Sequence, residues 1–335
     1  MSSSASPVRL LVSRATLETW QPLMAQAFGP QAHEFVLLDE AVAQARHDID
    51  VAFISRDITG RSTKHELAAE TQACYDLLRH SPRLQWVHIH SAGADRPIYV
   101  DLRQRGVTIT TSSGANAEVV AQTAVAGVLA LARRFPQLID AQRAGRWTPL
   151  LGERLPRDLS GQGAVIVGWG PIGQRIGRLL HALGLRVHAV RHRADAPAES
   201  GISMVSFEQW PDILPQADWL ILACPLTAQT RGLVNATTLA AMPAGAHLIN
   251  VSRGEVVCEA DLCTALQSGH LGGALLDVFE HEPLPGDSPL WGMPQVIVTP
   301  HSAGHSDGNE VRVAHQFLDN LRAWCAGRAM RNVVS

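Results

Sequence analysis

Three stretches place a charged or polar side chain just past an apolar run: INVSRGEVV with Arg253, LLDVFEHEPL with Asp277 and Glu282, and VIVTPHSAG with His301. In an open α/β sheet such strand ends face one crevice, so the spacing predicts that Arg253, Glu282 and His301 converge. An arginine, a carboxylate and a histidine meeting at one place suit transfer of a hydride to an anionic keto acid. Arg253 binds the carboxylate and polarises the carbonyl, His301 gives the proton, and Glu282 holds the imidazole oriented and protonated. Taken singly, each has an ordinary explanation: a cap after a strand, a solvated turn acid before Pro283, a residue approaching a helix.

A second motif gives the trio a context. VIVGWGPIGQRIGRLL sets Gly168, Gly170 and Gly173 between an apolar run and a helical pattern. That arrangement gives a tight turn, close backbone approach to a pyrophosphate, and a helix N-terminus to hold it. The next apolar run, GLRVHAVRHR at 184 to 193, ends in Arg191, His192 and Arg193. A carboxylate gripping the ribose of NAD is expected about twenty residues past the last glycine. A guanidinium there pairs instead with a 2′-phosphate, so the cofactor expected is NADPH, with NADH less favoured. Solvated surface arginines are the alternative for an isolated pair.

These side chains need a scaffold, and the chain of 335 residues supplies one. Short Val, Ile and Leu-rich runs alternate with helical-period stretches, which predicts α/β architecture with parallel sheets. One series runs from VRLLVS through HEFVLLD, DVAFIS and LQWVHIHS to VTITT. Another runs from GAVIVG through LRVHAV, DWLILAC, HLINVS and GALLDV to VIVTP. The apolar stretch 116 to 135 reads as a buried connecting helix, and 136 to 162 as an irregular arm. The helix starting near Ser306 or Asp307 has no strand left to serve, so it returns to the first domain. The fold expected is two doubly wound parallel-sheet domains, Rossmann and flavodoxin-like, around an interdomain cleft. Residues 1 to 113 with 303 to 335 form one, and 114 to 302 the dinucleotide-binding one.

At 46% hydrophobic and 18% charged, with a formal net charge of -3, the chain has no basic field for nucleic acid or an anionic membrane. Its five cysteines include no CxxC pair, which argues against a disulfide framework or a metal site and for the cytoplasm. The start, MSSSASPVRLLVSR, lacks the basic n-region and long apolar core of a signal peptide, and Met1 to Ser6 reads as a frayed tail.

In SAGAD, NAEVVAQ, GWGPIG, CPLTAQTRGLVN, NVSRGEVV, LDVFEHEPLP and TPHSAG, taken in order, the chain resembles the D-isomer-specific 2-hydroxyacid dehydrogenases, and among them the glyoxylate/hydroxypyruvate reductase branch. The resemblance implies the roles given to Arg253, Glu282 and His301. It also implies that backbone amides of Ser91, Ala92 and Gly93 cradle the substrate carboxylate, and that Asp277 hydrogen-bonds the nicotinamide carboxamide. Cys224, Pro225 and Thr230 then line the adenosine side. The implied cofactor site further takes in Val120, Trp169, Pro171, Ile172, Val251, Ser252, Ala303 and Gly304, and shares Arg253 and His301 with the substrate. Two departures stand out: Gln122 where the family usually has a glutamate, and the basic Arg191. Relatives pair as two-fold dimers through the arm, and in some an arm tryptophan reaches the neighbour's pocket, at a place comparable with Trp147. Dinucleotide-sensing corepressors and formate or phosphite dehydrogenases share the fold and are the alternatives.

Overall fold

The computed structural model describes residues 6–152, 155–191 and 201–334. The chain divides into two compact units. One comprises residues 1–116 with 306–335, the other 117–305, each boundary three residues later than expected from the sequence.

In the first unit β1 (Val8–Val12), β2 (His33–Leu37), β3 (Val51–Ile54), β4 (Trp86–Ile89) and β5 (Thr108–Thr111) form a five-stranded sheet in the order β2-β1-β3-β4-β5. All its pairings are parallel. The connections are α1 (Arg14–Phe28), α2 (Leu38–Ala43), α3 (Arg56–Thr59), α4 (Ala69–Arg79) and α5 (Pro97–Gln104). Ser13 caps α1, its hydroxyl accepting from the Thr16 amide at 3.1 Å. β3 and β4 are buried along their whole length, because helices cover both faces of a parallel sheet.

The second unit opens with α6 (Ala117–Ala132) and α7 (Phe135–Arg143). The arm expected to be irregular therefore begins with a nine-residue helix. Its signal was masked by Pro136, which breaks a helix interior but is tolerated in the first turn, where it stands. Then follow β6 (Gly163–Val167), α8 (Pro171–Ala182), β7 (Arg186–Arg191), β8 (Ile202–Ser206), α9 (Trp210–Ile213), β9 (Trp219–Leu222), α10 (Ala236–Ala241), β10 (Ala246–Asn250), α11 (Glu259–Gln267), β11 (Leu271–Leu276) and β12 (Val296–Val298). They make a seven-stranded sheet in the order β12-β11-β10-β9-β6-β7-β8. The chain moves outward from β6 through β7 to β8, then crosses back to β9 on the other side. The switch point is thus the carboxyl end of β6, where Gly168 stands. β8 is an edge strand that the run ISMVS, with Ser203 and Ser206, did not announce.

α12 (Asn309–Cys325) belongs to the first unit, where Val313, Phe317 and Leu321 join the core with Val12, Phe53 and Trp86. Phe317 stacks on Phe53 with ring centroids 4.4 Å apart. Among the described residues no helix is long and apolar enough to cross a membrane.

Candidate active site

The glycine-rich turn has the three different environments its spacing demands. Gly168 sits at φ 102°, and a Cβ there would lie 2.7 Å from the Ala223 carbonyl and Cys224 Cα, so only glycine fits. A Cβ on Gly173 would collide with the Gly168 carbonyl, which is how α8 comes to lie so close to β6. At Gly170, the residue capping α8, a Cβ would meet nothing within 4 Å. Open space therefore faces a helix start whose first amides have no partner within the helix. Pro171 takes the first helical position, where no amide is needed. This cradle fits a dinucleotide pyrophosphate. Trp169 lies over Gly177, and Ile172 packs against the same core as Trp169.

β7 ends on Arg191, partly exposed; His192 and Arg193 lie outside the described residues. After β9, Cys224 is buried, and burial pushes its thiol up to about 11. Thr230 is also buried and spends its hydroxyl on its own turn, donating to the Pro225 carbonyl at 2.7 Å and accepting from the Thr227 amide at 2.8 Å. Val120, on α6, and Val251 are core residues.

Arg253 follows β10 and is held by a residue that sequence reasoning passed over. The Asn250 side-chain oxygen accepts from the Ser252 amide at 3.0 Å and the Ser252 hydroxyl at 2.8 Å, while its amide nitrogen donates to the Arg253 carbonyl at 3.0 Å. An asparagine two residues before a serine at a strand end is a turn signal that could have revealed it. The Arg253 Nη1 donates to the Ser252 carbonyl at 2.7 Å. Gly254 lies hard against the backbone of Phe279 and Glu280, bringing this turn beside the one carrying Glu282.

Asp277, at the end of β11, is 2% exposed and grips the loop that follows β12. Its Oδ1 accepts from the Thr299 hydroxyl at 2.6 Å and the Ser302 and Ala303 amides at 2.8 and 3.0 Å. Oδ2 accepts a longer bond, 3.1 Å, from Ala303. The His301 amide donates to the Asp277 carbonyl at 2.8 Å, and His301 adopts φ 50°, a left-handed conformation held by these bonds. Thr299 is thus a second supporting residue the sequence did not reveal. Gly304 follows in the same loop.

The result is a His301–Glu282 pair, Nδ1 to Oε2 at 2.8 Å. Burial alone would push the Glu282 carboxyl up. The hydrogen bond and charge of His301, the Phe279 amide at 3.2 Å and the Arg253 charge outweigh it, leaving Glu282 below the usual carboxylate range. The imidazole remains half exposed, and among the described residues no protein group pairs with its Nε2. A half-open imidazole held by an ionised carboxylate beside an arginine can donate a proton to an anionic carbonyl compound.

Ser91, Ala92 and Gly93 lie in the first unit, directly after β4. The Ser91 hydroxyl donates to the Gly93 carbonyl at 2.8 Å, closing a small turn.

Residues 125–303 match the model of the D-isomer specific 2-hydroxyacid dehydrogenase NAD-binding domain. The chain belongs to the D-isomer-specific 2-hydroxyacid dehydrogenase family. A glyoxylate reductase of Korarchaeum cryptofilum is 33% identical over 267 residues, 78% of this chain and 79% of the relative. A family member from Xanthobacter autotrophicus, solved with NADPH and MES, superposes with a TM-score of 0.76 at 29% identity, covering 99% of this chain and 98% of that one. An NADPH-dependent glyoxylate/hydroxypyruvate reductase of Sinorhizobium meliloti, solved with NADP and sulfate, gives 0.73 at 27% identity, with 99% and 98% covered. Arg253, Glu282, His301 and the glycine cradle at Gly168, Gly170 and Gly173 all lie within the residues matched by the NAD-binding domain model.

Proposed function

We propose that this dehydrogenase reduces a small 2-keto acid of the glyoxylate or hydroxypyruvate type to the D-2-hydroxy acid, with NADPH preferred over NADH. The observation that carries the reading is the 2.8 Å His301–Glu282 pair with Nε2 left to a ligand.

Each side chain then has a task. The turn at Gly168, Gly170 and Gly173 and the start of α8 hold the pyrophosphate. Arg191, with His192 and Arg193, takes the 2′-phosphate. Bound NADPH supplies the hydride that becomes the new C–H bond at C2. Arg253 holds the substrate carboxylate and draws electron density toward the carbonyl oxygen. His301 gives that oxygen a proton from Nε2, and Glu282 compensates the charge of the imidazolium before the proton leaves. Asp277 Oδ1 fixes the His301 loop, while Oδ2 keeps room to accept the carboxamide N–H. Amides of Ser91, Ala92 and Gly93, in the first unit, would take a substrate carboxylate.

We further infer a cytoplasmic homodimer acting on a small molecule, with neither nucleic acid nor membrane as partner. Free thiols at all five cysteines support the reducing compartment. Trp147, Leu151 and Leu155 in the arm are 96%, 68% and 61% exposed, an apolar surface that a second copy would cover.

The test is steady-state kinetics of the purified parent and Arg253→Gln with glyoxylate and hydroxypyruvate. Loss of one charge-assisted pair lowers kcat/KM by roughly ten- to a hundredfold. A variant with unaltered kinetics removes Arg253 from the site.

A further inference from the structure

At the carboxyl ends of β3 and β4, neighbours in the first unit's sheet, the segments that follow carry Arg56 and Arg96, and among the described residues neither meets a carboxylate. Arg56 opens α3, and the loop from His90 to Arg96 follows β4. The two segments are fastened twice. Thr59, in the same helical turn as Arg56, donates its hydroxyl to the Arg56 carbonyl at 3.1 Å, so its contact with His90 Nε2 at 2.9 Å must be received from a ring N–H. Arg96 donates to the Ser62 carbonyl at 2.8 Å and to the Tyr75 hydroxyl at 2.9 Å. Both acceptors are neutral, so neither offsets the Arg96 charge.

Arg56 feels the Arg96 charge, and its own side chain makes no bond among the described residues. It keeps solvent access, yet burial and the Arg96 charge, in that order, both lower its pKa. Among the described residues no carboxylate pairs with it. Asp95 pairs with Lys64 at 3.5 Å, and Asp57 accepts from Ser55. A partly desolvated guanidinium next to a like charge is unfavourable unless an anion completes the site. A surface arginine serving only solubility needs no such pinned surroundings.

We propose that Arg56, supported by the nearby Arg96 charge, forms an anion subsite for the tail of the substrate, and that the preferred 2-keto acid carries a second carboxylate or a phosphate remote from its reacting carbonyl. The assignment rests on the reductase reading above and sharpens it. The loop 91–93, proposed to hold the α-carboxylate, lies between the two fastened points, so one end of the sheet would receive both ends of a short dianion. Guanidinium pairs bidentately with either anion, and the chemistry of the two is shared up to this point.

The experiment measures kcat/KM with NADPH for two pairs that differ in tail charge. One is 2-ketoglutarate against 2-keto-5-methylhexanoate, where an isopropyl group replaces the second carboxylate; the other is 3-phosphohydroxypyruvate against hydroxypyruvate. The parent is expected to favour the charged member of one pair by roughly tenfold or more, and the pair that responds identifies carboxylate or phosphate. Arg56→Gln brings that ratio close to one, mainly through KM, and Arg56→Lys keeps part of it. A parent ratio near one in both pairs overturns the subsite while leaving the reductase intact. So does an Arg56→Gln variant that slows all four substrates alike, since that is a structural defect. Absence of turnover with all four removes subsite and reductase reading together.

Discussion

Asp277 and Glu282 show why a buried and a half-buried carboxylate a few residues apart can do different work. Asp277 Oδ1 is saturated by three donors from the loop it anchors, whereas Glu282 directs one oxygen to its own turn and the other to His301. Replacing Glu282 by Gln keeps the shape and removes the charge that favours an imidazolium. The alkaline limb of the reduction rate should therefore move to lower pH, and an unmoved limb would take Glu282 out of proton delivery. Stability follows a different course. The Glu282 pKa is depressed on folding, so its contribution is present above the unfolded value, about 4.3, and is lost as pH falls through the folded one. Acid unfolding of Glu282→Gln should accordingly show a weaker pH dependence below that value than the parent. At the end of β7, Arg191→Asp puts a carboxylate where a 2′-phosphate is expected. The ratio of kcat/KM with NADPH to that with NADH should fall by tenfold or more, for loss of one charge-assisted pair worth about 1.5–3 kcal/mol. A parent that uses both cofactors equally would contradict the assignment.

Elements deliver these residues through strand ends and the bonds that brace the loops beyond them. The His301 loop is braced by Thr299, whose hydroxyl meets Asp277 at 2.6 Å. Thr299→Val keeps the volume and removes the donor, so urea unfolding should show a loss of about 1–3 kcal/mol, with a lower kcat as the loop loosens. Full kcat with lowered stability would show the brace to be structural only. This is also where the sequence was least informative. The turns carrying Arg253, Glu282 and His301 were legible because each comes within a few residues of the end of an apolar run, and the glycines because their spacing has a steric meaning. Asn250 and Thr299 were not, since their value lies in bonds made across segments whose relative register a single sequence does not state. β8 was missed for a related reason: an edge strand is paired on one side only, and its alternation of Ile202, Met204 and Ser206 is too short to signal.

At the scale of the molecule, the alternation of runs announced two parallel sheets, and the long apolar stretch announced α6, but the first turn of α7 hid behind Pro136. The arm beyond α7 leaves Trp147 96% exposed, costly for a large aromatic unless a second chain covers it. Sedimentation of the parent should give a dimer. If Trp147 also enters the partner's pocket, Trp147→Ala changes the ranking of small and bulky keto acids at an unaltered NADPH dissociation constant; a monomeric variant slowed equally on all substrates confines Trp147 to the interface. Cofactor, acid and stereochemistry meet in one measurement: NADPH-driven reduction of hydroxypyruvate by the parent and by His301→Gln, with chiral identification of the product. The parent should give D-glycerate, and kcat should fall by about a hundredfold or more in the variant, the worth of a positioned proton donor. L-glycerate, or a His301→Gln variant as fast as the parent, would contradict the proposed reaction.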